Sequence, residues 1–120
     1  MRIHGKPIIK VYLLPEWSED EFQNFLARLI EAAISIPALH VRNMDDVIVL
    51  FIKDMMTFCL GTEIHIEVDL PEDLEIDILV EQETAQVIGS VVQKHLPDAY
   101  VQCKVYPFHT KRGFWASATE

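Results

Sequence analysis

The sequence predicts an α+β fold in which two β-α-β units form a mixed sheet with two helices on one face. Three observations carry this. An apolar stretch of strand character, an amphipathic helical pattern and a second apolar stretch follow one another from about Lys6 to Asp54, and the succession returns from about Leu74 to Phe108. The length of 120 residues is enough for one domain with a real core. Half of the residues are hydrophobic and no linker or low-complexity segment interrupts them, so residues 1–120 read as a single ordered domain.

The first strand is expected over Ile8 to Leu14. Pro7 starts it, a position where a missing N–H is tolerated. Alternation places Lys10 and Tyr12 on one face and Ile9, Val11 and Leu13 on the other. The first helix begins after Ser18, which can cap it, and Glu21 completes a capping box. Trp17 is placed to pack on Phe22, and the acidic run Glu19 to Glu21 suits the positive end of the helix dipole. Phe22, Phe25, Leu26, Leu29, Ile30 and Ala33 recur at helical spacing and mark the buried stripe. Pro37 disfavours helix at Ile36, so the helix ends near Ser35.

Val47 to Ile52 is a continuous apolar run, which suits a strand buried on both faces. Asp54 to Leu60 reads as a connecting turn packed by Met55, Met56 and Phe58. Glu63 to Asp69 alternates, with Ile64, Ile66 and Val68 facing one way and Glu63, His65 and Glu67 the other. Leu74 to Val80 alternates too and is expected as a further strand, paired with its predecessor in a hairpin or left as an edge. The second helix is expected from Glu81 to His95, with Thr84, Val87, Ile88, Val91, Val92 and His95 as its stripe. Gly89 within it suggests close packing, since glycine there costs about 1 kcal/mol against alanine. Pro97 stops the helix, and Tyr100 to Phe108 is the last long strand.

Composition excludes several functions. A net charge of −9 argues against a general nucleic-acid binder, which needs clustered Lys and Arg. No apolar run approaches the ~20 residues needed to cross a bilayer, and the start lacks a signal peptide's apolar segment. A cytoplasmic protein without membrane partners is expected. Cys59 and Cys103 have no metal-ligand spacing and are expected as free thiols, Cys103 filling space in its strand. Glu63, His65 and Glu67 share a strand face, but neighbours two apart lie roughly 7 Å from one another and rarely close on one ion. No metal and no cofactor is expected.

The opening Pro7-Ile8-Ile9-Lys10-Val11-Tyr12-Leu13-Leu14 resembles that of 4-oxalocrotonate tautomerase. The ending, Tyr100 to Phe108 followed by Gly113-Phe114-Trp115, resembles the last strand and aromatic tail of the macrophage migration inhibitory factor group. Together they resemble the tautomerase superfamily from Pro7 to Trp115; strand–helix–strand given twice also fits a ferredoxin-like fold. The resemblance implies a homo-oligomer, most simply a homotrimer. It also implies chemistry at an amino-terminal proline, whose secondary amine moves a proton on a 2-oxo or enol acid while cationic side chains hold the carboxylate.

Here Pro7 follows Lys6, so its nitrogen is a tertiary amide with negligible basicity. The family mechanism operates at Pro7 only if the first six residues are removed. The candidate site residues are therefore Pro7, conditional on such processing, and Tyr12 as catalytic groups. Lys10, Arg42, Lys111 and Arg112 are candidates to hold a small carboxylate. Tyr100 or Tyr106 could donate a hydrogen bond to an enolate. Two function classes stand: a non-catalytic or divergent relative that binds a small anion or a partner, and a keto–enol tautomerase of a small 2-oxo acid. Phe114 and Trp115 are expected to pack at a subunit boundary, as a bulky apolar pair in a short tail seeks burial.

Overall fold

The structure, a computed structural model, describes residues 5–52, 63–72 and 76–117. The expected turn at Asp54 to Leu60, Cys59 and Leu74 lie outside the described residues. Four strands form one mixed sheet, β1 (Ile8–Tyr12), β2 (Ile48–Ile52), β3 (Glu63–Pro71) and β4 (Tyr100–Phe108), in the order β2-β1-β3-β4. Helix α1 (Glu19–Ile34) joins β1 to β2, and α2 (Ile78–His95) precedes β4. Within each β-α-β unit the strands are parallel, β1 with β2 and β3 with β4, while β1 and β3 run antiparallel at the centre. A parallel pair needs a crossover, and the helices supply it.

Both helices cover one face. Ile9 and Val11 of β1 and Ile64, Ile66, Val68 and Leu70 of β3 are buried there with Phe25, Leu29 and Ala33 of α1 and Ile88 and Val92 of α2. Of the stripes read from the sequence, Phe25, Leu29 and Ala33 of α1 and Thr84, Ile88 and Val92 of α2 are buried, Ala32 is buried in addition, and the remaining stripe residues are half-buried. The capping box of α1 is formed: the Glu21 N–H donates to Ser18 Oγ at 3.2 Å, and the Ser18 N–H donates to Glu21 Oε1 at 3.1 Å. Trp17 packs edge-on against Phe22 and Phe25, at 5.4 and 5.1 Å between ring centroids.

Four expectations are corrected. Residues 76 and 77 are not strand, and Ile78 to Val80 form the first turn of α2. The Asp77 carboxylate accepts from the Val80 N–H at 2.9 Å, and this cap starts a helix where alternation suggested a strand. The second unit therefore begins with β3, and β3 has no hairpin partner there. The apolar run of β2 is not buried on both faces: Ile48 and Leu50, in register with Ile8 and Lys10, point to the face that the helices leave open and are exposed. At Gly89 a methyl group would meet Cys103 Cβ at 3.5 Å, an ordinary contact, so close packing does not require glycine. The first strand ends at Tyr12, because Leu13 turns into the left-handed region at φ 70° and breaks the alternation. Among the described residues no helix is long and apolar enough to cross a membrane.

Candidate functional site

Strand directions decide which candidate residues come together. β1 and β2 start at the end of the sheet where β3 and β4 finish. Pro7, the Arg42–Asp46 turn, Leu70 and Pro71, and the tail after Phe108 therefore share that end. The tail carries the adjacent Lys111 and Arg112, so the topology sets Pro7, Arg42 and this basic pair at one end of the sheet.

Pro7 is buried, and its carbonyl accepts the Ile48 N–H at 2.9 Å, extending the β1–β2 ladder by one residue. Gly5, just upstream, is also buried. A methyl group on it would come within 3.0 Å of the Phe114 ring and 3.1 Å of the Phe108 ring, which themselves pack at 5.5 Å. Gly5 is thus built into this end of the sheet. His109 Nδ1 lies 2.7 Å from Glu72 Oε2, tying the tail to the end of β3. Trp115 is 84 % exposed in the chain alone.

Arg42 sits in an ordered turn. Its backbone N–H donates to Asp46 Oδ2 at 3.0 Å, while the Asn43 side chain accepts from the Asp45 N–H at 2.9 Å. The Arg42, Lys111 and Arg112 side chains are exposed and hold no ion pair among the described residues.

Lys10 and Tyr12 stand apart from this group. They lie on the open face, opposite the helices. A strand advances about 3.3 Å per residue, which sets Lys10 roughly 10 Å and Tyr12 roughly 16 Å along from Pro7. Tyr12 is too distant to act on the same small molecule as Pro7. Lys10 already has a partner, its ammonium 2.9 Å from Asp69 Oδ2. That hydrogen bond raises the Lys10 pKa against the opposing effect of burial. Tyr12 also sits above the ordinary tyrosine value, chiefly through hydrogen bonding to Glu67 and then through burial. Neither group is a ready base near neutrality.

Glu63, His65, Glu67 and Asp69 line the open face of β3, with Tyr100, Gln102, Lys104 and Tyr106 in register on β4. Among the described residues no group of three or more His, Cys, Asp or Glu could hold a metal ion. Tyr100 donates to Gln102 Oε1 at 3.0 Å. Cys103 faces α2, where burial pushes its thiol up to about 12 and leaves it protonated and unreactive.

No family model matches the sequence, and no curated protein sequence does. Solved structures do match in fold. The chain is similar to a 5-carboxymethyl-2-hydroxymuconate isomerase from Deinococcus radiodurans, at 12% identity over 94% of this chain and 90% of that one, with a TM-score of 0.71. It is similar to MIF2 of Leishmania major at 13% identity, covering 93% and 95% of the two chains, with a TM-score of 0.63. It is also similar to a fused 4-OT that forms an asymmetric trimer, at 14% identity over 83% and 86%, with a TM-score of 0.62. The doubled β-α-β sheet with both helices on one face, matched over 83–94% of the chain by these structures, is a tautomerase/MIF-like fold.

Proposed function

We propose that this protein is a divergent, non-catalytic relation of the tautomerases that binds a small carboxylate at the Pro7 end of its sheet. The observation that carries the reading is the state of Pro7: its nitrogen is acylated by Lys6, and the segment before it is packed at Gly5 against Phe108 and Phe114. An amide nitrogen has no lone pair available to accept a proton. Arg42, Lys111 and Arg112 supply positive charge at the same end, in a chain that is otherwise strongly acidic. A guanidinium offers paired donors that match a carboxylate. The neighbouring fused trimer supports a homotrimer as the working assembly, in which Trp115 finds its cover against another subunit.

A second reading is a keto–enol tautomerase acting on a small 2-oxo acid, with Pro7 exposed by cleavage after Lys6. The isomerase among its structural neighbours favours it.

One experiment separates the two. Protein whose intact mass confirms the Lys6–Pro7 bond is assayed for ketonisation of phenylenolpyruvate and then titrated with phenylpyruvate while backbone amide shifts are followed. The expected result is no rate above buffer, with saturable shifts at residues 42–48 and 109–115. Turnover by the intact chain, or no saturable shift at those amides, overturns the proposal.

A further inference from the structure

The opposite end of the sheet carries a concave feature. It is a depression of about 350 Å³ on the open face, lined by Tyr12, Leu13, His65, Glu67, Gln102 and Lys104. This volume falls at the lower end of the range for small-molecule sites, roughly 300–1,000 Å³. It is separated from Pro7 by the length of β1.

Two independent observations mark it as more than a surface dimple. The first is backbone strain. Leu13 has a φ of 70°, a conformation that costs a bulky L-residue roughly 1–2 kcal/mol. The conformation is held by a hydrogen bond from the Leu13 N–H to the Ile52 carbonyl at 3.1 Å. Strain of this kind persists where the surroundings over-determine it, and it clusters at ligand clamps.

The second is an incomplete set of polar partners. Lys104 lies directly across from Glu67 in the β3–β4 register, yet its ammonium makes no ion pair among the described residues. Gln102 uses its carbonyl oxygen for the Tyr100 hydroxyl, which leaves its NH2 group to donate elsewhere. His65 leans towards Glu63, at 3.4 Å, rather than towards Glu67. Glu67 lines the depression beside Tyr12 and, as a carboxylate, retains acceptor capacity. The depression thus offers a cation and an amide donor beside a carboxylate acceptor, with Leu13 as an apolar wall.

We propose that this depression binds a small carboxylic acid bearing an adjacent hydrogen-bond donor, an α-hydroxy or α-amino acid. Its carboxylate meets Lys104 and the Gln102 NH2, its hydroxyl or ammonium donates to Glu67, and its side chain lies on Leu13. A simple carboxylate leaves Glu67 without a new donor and binds less well. A simple amine leaves Lys104 unmatched.

The test uses phenyllactate as probe on the intact protein, with amide shifts as the readout. Saturable shifts are expected at residues 12–13, 65–67 and 102–104. 3-Phenylpropanoate, which lacks the hydroxyl, is expected to bind about tenfold more weakly, in line with the loss of one charge-assisted hydrogen bond. Lys104→Met is expected to weaken phenyllactate binding by about tenfold or more, with amide dispersion confirming the fold. Shifts confined to residues 42–48 and 109–115, equal binding by Lys104→Met, or no saturable shift up to about 10 mM overturns the proposal. Because the two ends are read by different amides, failure here is distinguishable from failure of the carboxylate site near Pro7.

Discussion

Gly89→Ala is expected to stabilise the protein, and the sign discriminates between two readings of that residue. Glycine inside α2 either makes room for a close approach or merely weakens the helix. A Cβ at position 89 would sit 3.5 Å from Cys103 Cβ, its nearest neighbour outside the adjoining helix backbone. That is van der Waals contact, so no atom must move. The helix-propensity gain is about 0.8–1 kcal/mol, because alanine has fewer unfolded conformations to lose. The added methyl covers part of the groove floor between α2 and β4, where Gly89 and Cys103 both lie, and contributes a further few tenths of a kcal/mol. The sum, about 1 kcal/mol, corresponds to a rise of roughly 3–6 °C in Tm for a chain of this size. The assay is paired thermal and urea unfolding at one fixed protein concentration, since assembly makes Tm concentration-dependent. A higher urea midpoint with an unchanged slope supports the argument. A lower Tm refutes it and means that the α2–β4 spacing depends on glycine.

Two further outcomes follow from the fold. Ser18→Ala removes the acceptor of the Glu21 N–H and breaks the capping box, so a loss of about 1 kcal/mol in urea unfolding is expected, and an unchanged midpoint would show that the cap is not needed. Burial raises the folded pKa of Cys103 to about 12, from an ordinary value of 9.0. A raised pKa means that the folded state keeps its proton while the unfolded chain loses it. This contribution is fully present below about pH 9 and is lost as pH climbs towards about 12. Lys10 and Tyr12, both raised, act in the same direction. Stability is therefore expected to fall on the alkaline side, less steeply in Cys103→Ala; identical alkaline slopes would refute the role of the thiol.

The features legible in the sequence were those set by neighbours in the chain. The capping box at Ser18 and Glu21, the stripe of Phe25, Leu29 and Ala33, and the alternation of Glu63 to Asp69 depend on contacts or periodicities within a few residues. The bounds of β4 could be read for the same reason, between Pro97 and the end of the apolar alternation. Leu74 to Val80 misled because seven residues of alternation cannot outvote one capping carboxylate at Asp77. The groove by Lys104 gave no signal, since lysine on a half-exposed strand is ordinary until its missing partner is seen. Leu13 gave none either, since the β-alternation runs on through it with no turn residue to mark the break.

By itself, the sequence determined both helices, the runs that became β1 to β4 and the Lys6–Pro7 amide of the uncleaved chain, while its alternation at Leu74 to Val80 named a strand too many. Only the tertiary structure decided which residues share an end or a face. The antiparallel register of β1 and β3 sets Lys10 beside Asp69, carries Arg42 and the tail to the Pro7 end, and leaves Tyr12 at the other. It also made β2 an edge, because an apolar run reads the same in the middle of a sheet as at its border. Strand order is a choice among pairings of similar local energy, settled by how both helices can cover one face at once.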